Sequence, residues 1–408
     1  MESLFDKLTH YGSSEVLPMH MPGHKRKTGF MRGVSRYDIT EITGFDNLHN
    51  PQGILKEAME EAADLYGSDS SRFLVNGSTA GVFSAILTAV KPKGKLLMAA
   101  NCHKSAFNAV MLGNINVTLL QPKVVSPLNV WGSITPEDVK AALKKEPDVD
   151  AVLITSPTYD GIVSDIENIA AVCHKKKIPL IVDSAHGAHF PFGEGCGFPK
   201  DALSCGADYV IESLHKTLPS LTQTAIIHTK GDLADRERLD FMLQCFQTTS
   251  PSYLLISSCI ECLCIMEREG RERMREYAQR LSEVRYALNH ICQGYLLDKQ
   301  DGIFDYDKGK LVMGFKGYAG TYLRAKLLKD YGIETETGNN RFFVAMTSLM
   351  DSDEDMFRFT HGMQMLRRDL PLTEETKFPM PEQKLPKGKI TTEMIMNAPC
   401  PPGIICED

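Results

Sequence analysis

A chain of 408 residues, 43% hydrophobic and 24% charged, is long enough for a large core and for two domains. Its 52 acidic residues exceed its 45 Lys and Arg, for a net charge of -7, which argues against a general nucleic-acid binder and suits a cationic substrate. No apolar run is long enough to span a membrane, the start is too polar for a signal peptide, and scattered cysteines read as reduced thiols of a cytoplasmic protein.

In chain order, the first fifty residues read as an ordered N-terminal arm (residues 1–50). It holds the two-histidine turn His20-Met21-Pro22-Gly23-His24-Lys25 and a polar stretch, Asp38 to Asn50, with single apolar anchors. A helix follows, with Asn50 as cap, Pro51 in the first turn, Ile54, Leu55, Ala58, Met59, Ala62 and Leu65 on one face, and Gly67 as the stop. From Arg72 the pattern becomes strand, turn, helix, repeated. Strands are expected at 72–75, 95–100, 115–120, 151–155, 178–183 and 208–211, and helices at 80–90, 136–145 and 166–177. Apolar strands alternating with helices predict an α/β fold, a mostly parallel central sheet covered on both faces, over residues 51–250. The amphipathic run Met266 to Ile291 reads as a long connecting helix within 251–295. Strand, helix, strand at 310–315, 320–331 and 341–347 predict a smaller C-terminal α/β domain, 296–408. Cys259 and Cys262 form a CxxC without a second pair, so buried helix cysteines are expected and no metal site.

Ligands of such sheets bind beyond the carboxyl ends of the strands. Those ends carry Asn76-Gly77-Ser78-Thr79, Asn101-Cys102-His103, Thr155 to Tyr159, Asp183-Ser184-Ala185-His186 and Ser213-Leu214-His215-Lys216. Lys216 follows an apolar strand and stands among hydroxyls, a poor place for a solvated charge and a good one for an amine that forms a Schiff base, the alternative on this window alone being a lysine of an ordinary surface loop. Ser78 and Thr79 at a helix start make a phosphate cradle or a plain helix cap. Asp183 at the end of an apolar strand suits a protonated pyridine nitrogen, or is a turn residue. His103 can lay its ring on a flat cofactor, although in isolation it reads first as a polar residue at a helix start, and Ser213 and His215 can add phosphate contacts or be turn residues. Pyridoxal 5'-phosphate uses all of these together.

With these residues in place, the chain resembles the Orn/Lys/Arg decarboxylase major-domain family of fold-type-I pyridoxal-phosphate enzymes. The resemblance rests on Met21 to Lys25, Asp38 to Asn50, Asn76 to Thr79, Asn101 to Ser105, Thr155 to Gly161, Asp183 to His189 and Ser213 to Gln223. It implies that Lys216 is the Schiff-base lysine, that Asp183 pairs with the pyridine nitrogen, and that His103 stacks on the ring. It further implies phosphate contacts from Ser78, Thr79, Ser213 and His215, with His186 beside the ring. The implied reaction is decarboxylation of a basic amino acid, arginine first and lysine or ornithine next, in a homodimer whose active site lies at the subunit interface. An aminotransferase or lyase on the same scaffold, or a catalytically silent cofactor-binding homologue, are the alternatives. Pro219 departs from the family preference for a small residue three positions after the lysine. The arm motif begins near residue 18, so no wing domain of the large inducible members is expected, and Pro401-Pro402-Gly403-Ile404 is followed here by four residues, whereas relatives continue toward the substrate entrance.

Overall fold

In this computed structural model the described residues are 15, 17–19, 46–372 and the backbone of 389–390. The histidine turn at 20–25, the stretch 38–45 and the Pro-Pro-Gly-Ile turn lie outside them. In chain order the elements begin with β1 (Leu17–Met19), α1 (Ile54–Tyr66), β2 (Ser70–Leu74), α2 (Gly77–Ala89), β3 (Lys95–Ala99), α3 (Lys104–Gly113) and β4 (Asn116–Leu120). Then come β5 (Val124–Val125), β6 (Val130–Trp131), α4 (Pro136–Lys145), β7 (Ala151–Thr155), β8 (Ile162–Val163), α5 (Ile166–His174), β9 (Leu180–Asp183), β10 (Tyr209–Ser213), α6 (Leu214–Thr217) and β11 (Ala225–Thr229). The remainder comprises α7 (Arg236–Phe246), α8 (Tyr253–Asn289), β12 (Gly294–Leu296), β13 (Asp305–Tyr306), β14 (Lys310–Phe315), α9 (Gly320–Tyr331), β15 (Ile333–Thr335), β16 (Thr337–Gly338), β17 (Phe343–Met346), α10 (Asp353–Asp369) and β18 (Lys389–Ile390).

The main sheet has eight strands in the order β18-β4-β3-β7-β9-β10-β11-β2. Neighbours from β4 to β10 pair in parallel, while β11 and β18 run against them. Burial on both faces explains the unbroken apolar runs: Leu96, Leu97, Met98, Leu153, Ile154, Ile181 and Val182 are all sealed from solvent. The parallel β/α reading therefore holds. α2 is apolar nearly all round because it lies between this sheet and the helices α3 and α7. Gly81 lets it approach closely, since a Cβ there would stand 2.7 Å from Leu74 Cδ1 and 2.8 Å from Ile211 Cγ2.

α1 starts later than its apparent cap. Asn50 and Pro51 precede the helix, Gly53 is the N-cap, and Ile54 faces solvent rather than the core. The cause is Asp46, whose carboxylate accepts from the backbone N–H groups of Gln52, Gly53 and Leu55 at 3.0, 2.8 and 3.1 Å and of Asn47 at 2.9 Å. A side chain eight residues upstream thus satisfies donors that a local cap usually takes. Gly67 ends the helix in the left-handed region, as its sequence position predicts.

α8 runs 37 residues and starts well before Met266, so the CxxC lies inside it with Cys259 and Cys262 buried. Met274, Tyr277, Leu281, Val284 and Leu288 form its buried stripe. It leads into a second, antiparallel sheet, β12-β14-β17-β16. α9 packs on β14 and β17, and α10 packs on α8 and α9. A short pairing ties the two halves: β13 pairs with β8, which follows β7 of the main sheet; β1 pairs in parallel with β15. The strand β18 returns to the main sheet beside β4. Among the described residues no helix is long and apolar enough to cross a membrane.

Candidate active site

β2, β3, β7, β9 and β10 point the same way, so their carboxyl ends share one edge of the main sheet. Asp183 stands at the centre of that edge, in register with Thr155 on β7 and Ile211 on β10. Its carboxylate is buried and accepts from Ala185 N at 3.2 Å. β10 runs directly into the single turn α6, which turns His215 and Lys216 back over the strand ends. Lys216 Nζ lies 3.1 Å from His186 Nε2.

Electrostatics tie these groups into one cluster. Burial pushes the Lys216 ammonium below its usual range, with Asp183 and Glu336 working against that shift. His186 is held well below the usual histidine value, by burial first and then by Lys216, Lys310, His215 and His103. His103 is also lowered, mainly by burial, with Asp183 opposing and Lys216 and Lys104 adding to it. Lys216, Asp183, His186 and His103, separated by up to 113 positions in sequence, therefore act on one another through space. His103 caps α3: its Nδ1 accepts from Ser105 N at 3.2 Å, which leaves the ring proton on Nε2.

At the other side of the edge stands the N-terminus of α2. No side chain caps it, and Gly77 turns into it with a φ of 73°. Asn76 instead accepts from Thr248 N through Oδ1 at 3.2 Å. Ser78 is half-buried and Thr79 exposed at this start. Gln223 donates its side-chain amide to Val75 O and so links the loop after Lys216 to the end of β2. Ser213 is sealed from solvent, and its Oγ finds no partner among the described residues. His215 donates from Nδ1 to Thr224 O at 2.8 Å, so it can donate to a second acceptor only as the doubly protonated ring.

Three contributors were not singled out from sequence. Tyr159, from the loop after β7, sets its ring edge-on to His186 with centroids 5.3 Å apart. Its hydroxyl donates to Glu336 at 3.0 Å, a carboxylate between β15 and β16. Lys310 opens β14, is sealed from solvent, and places Nζ 2.7 Å from His186 Nδ1. The signal for Lys310 was a lysine leading an apolar strand; for Glu336 only a Glu-Thr-Glu-Thr alternation was visible. Together the cluster offers a buried amine beside an imidazole, uncapped backbone donors for an anion, and a half-buried carboxylate. Among the described residues no group of three His, Cys, Asp or Glu side chains could hold a metal ion.

The sequence model of the family described as Orn/Lys/Arg decarboxylase, major domain, matches residues 2–309. An arginine decarboxylase of Halalkalibacterium halodurans is 30% identical over 367 residues, covering 86% of this chain and 74% of its own. The uncharacterized Bacillus subtilis protein YaaO is 34% identical over 343 residues, 82% of this chain and 71% of its own. Among solved structures, the Francisella novicida lysine decarboxylase LdcF matches with a TM-score of 0.71 at 19% identity. That match covers 90% of this chain, which spans 60% of the length of LdcF.

Proposed function

This chain belongs to the Orn/Lys/Arg decarboxylase major-domain family, and we propose that it decarboxylates a basic amino acid with pyridoxal 5'-phosphate, taking arginine first and lysine or ornithine next. The observation that carries the proposal is Lys216: a largely desolvated amine beside a neutral imidazole, at the edge where the parallel strands end. The residues present fit the cofactor. The uncapped start of α2 with Ser78 and Thr79, and the unpartnered Ser213 Oγ, suit a phosphate. The buried Asp183 suits a protonated ring nitrogen.

Bound pyridoxal phosphate supplies an aldehyde for an amine and a ring that takes up electrons. The chain's own residues do the rest. Lys216, with its ammonium form disfavoured by burial, presents its amine for the aldehyde. Asp183 holds a proton at the ring nitrogen. His103 would cover one ring face, and His186 stands beside Lys216. Ser78, Thr79, Ser213 and His215 would hold the phosphate. Glu336, held by Tyr159, receives the distal cation of the substrate. Loss of carbon dioxide leaves a carbon that must gain a proton, and Lys216 Nζ or a neighbouring histidine supplies it. A second copy of the chain completes the site in a homodimer, which sedimentation velocity measures.

The test is an absorbance spectrum of the purified protein with and without added cofactor, then with L-arginine, L-lysine and L-ornithine in turn, recording evolved carbon dioxide. A visible band lost in Lys216→Ala and carbon dioxide from one substrate support the proposal. A band with no carbon dioxide from any of them refutes decarboxylation, and no band refutes the cofactor assignment.

A further inference from the structure

His186 is held from both sides by lysines, with Lys216 Nζ 3.1 Å from Nε2 and Lys310 Nζ 2.7 Å from Nδ1. A neutral imidazole carries one proton, so it can accept from one ammonium and must donate to whatever faces its other nitrogen. Two lysine ammoniums cannot both be satisfied by it. One lysine is therefore the donor and the other is a neutral amine that accepts.

The surroundings decide which is which. Lys310 is sealed from solvent, and its charge acts on two acidic neighbours, Asp160 and Asp307. Its Nζ also lies 5.9 Å from the centre of the Tyr159 ring, at cation–π range. The 2.7 Å contact has the length of a charge-assisted bond, while the 3.1 Å contact to Lys216 has that of a neutral one. Lys310 is built in firmly. Its backbone N–H donates to Asp307 O at 3.0 Å, and its carbonyl accepts from Tyr306 Oη. Gly161 leaves the space for its stem, since a Cβ there would stand 2.7 Å from Lys310 Cγ. Gly161 O in turn accepts from Asp307 N at 2.8 Å, so the loop after β7 and the start of β14 fix each other.

We propose that Lys310 is a positioning residue: it donates to His186 Nδ1, which keeps the single ring proton on Nε2 and aims it at the nitrogen of Lys216. The second sheet thereby reaches the reacting amine through one imidazole. Lys216 is held as a hydrogen-bond acceptor, with its lone pair located and its ammonium form excluded. This deepens the reading of Lys216 as the cofactor lysine and rests on it.

The experiment reads the tautomer directly. The full chain, freed of cofactor and labelled with 15N-histidine, is examined by long-range nitrogen–proton correlation at neutral pH, with the His186 signals identified by their loss in His186→Gln. The expected wild-type pattern is a protonated Nε2 and an acceptor Nδ1. Lys310→Met, which keeps the stem and removes the charge, loses that single form. Lys216→Met retains it, because Lys216 only accepts. A proton on Nδ1 or a doubly protonated ring in the wild type overturns the proposal. So does an unchanged pattern in a folded Lys310→Met, or a shift of the proton to Nδ1 in Lys216→Met. Should Lys310→Met not fold, the wild-type and Lys216→Met spectra decide. The visible band of Lys216 with cofactor is a separate readout, so its absence refutes the cofactor role without touching the tautomer.

Discussion

Glu336→Gln is the substitution that separates substrate recognition from the cofactor chemistry. Glu336 is half-buried, accepts from Tyr159 Oη at 3.0 Å, and its charge reaches Lys216. A hydrogen-bonded pair between its carboxylate and a substrate cation is worth about 2 kcal/mol in such a setting. At about 1.4 kcal/mol per tenfold, its loss raises KM roughly 30-fold, with a smaller effect on kcat. Glutamine keeps the size and the bond from Tyr159, so packing is preserved. Removing the negative charge also lowers the Lys216 ammonium further, because Glu336 is one of the two groups that oppose its depression. The amine then titrates at lower pH, and that shift is read in the cofactor-free protein from the pH dependence of Lys216 modification by an amine reagent. Tyr159→Phe serves as the milder partner: it removes one hydrogen bond to Glu336 but keeps the charge, and about 1 kcal/mol corresponds to roughly a fivefold rise in KM. The assay is carbon dioxide release against substrate concentration for arginine, lysine and ornithine. If Glu336→Gln shifts the pH profile but leaves KM within about threefold for the preferred substrate, Glu336 acts only on Lys216.

Three further outcomes follow from the described residues. At Asp46, burial raises the pKa but the N–H groups of Gln52, Gly53, Asn47 and Leu55 outweigh it, leaving the carboxyl at about 2. Its folded value is depressed, so its contribution is present above the unfolded value of 3.8 and is lost as pH falls toward 2. Discounted for partial exposure, Asp46→Ala loses about 1–2 kcal/mol at pH 7 and little near pH 2, measured by urea unfolding at both. Glu212 is held well above its usual value, by burial first and then by Asp201, so it stays protonated in the fold while the unfolded chain ionises. Stability therefore falls as pH rises from the unfolded value of 4.5 toward the raised folded one, and Glu212→Gln flattens that part of the thermal melting profile; an unchanged slope would show Glu212 to be ionised. Cys245 and Cys292 are exposed while Cys102, Cys173, Cys259 and Cys262 are buried, so a thiol reagent labels the first pair quickly and the second set only on unfolding; early labelling of Cys259 or Cys262, read by peptide mass, contradicts their placement.

Much of the main sheet was legible because its physics is local and repeated. A strand buried on both faces must be apolar throughout, and a helix in each crossover must show its own period, so 136–145 and 151–155 fall where the pattern puts them, and in the second sheet the apolar strand 310–315 and the helix 320–331 do as well. Elements with weak patterns were not anticipated. α7 and α10 are polar over much of their surface, although α10 announces itself by a capping box between Ser352 and Asp355. The start of α1 was misplaced because its N–H groups are taken by Asp46, a partner beyond the reach of a cap motif.

The site divides along the same line. Asp183, His186, Ser213, His215 and Lys216 sit at strand ends, and parallel strands make all such ends converge, so their gathering follows from topology alone. Lys310 and Glu336 obey no such rule. They reach the edge because β13 pairs with β8 and because Gly161 leaves room for a lysine stem, facts of register and of one missing Cβ. Neither has a local signature: a lysine at the head of an apolar strand reads as a charge at a strand boundary until its neighbours are known. What marks Lys310 is the absence of solvent around its amine, and an ammonium there is stable only where partners surround it. That condition is met by Asp160, Asp307, Tyr159 and His186 together, from both sheets and the loops between them. The edge where the strands end is thus a property of one sheet, whereas the surroundings of Lys216 also depend on how two sheets are joined.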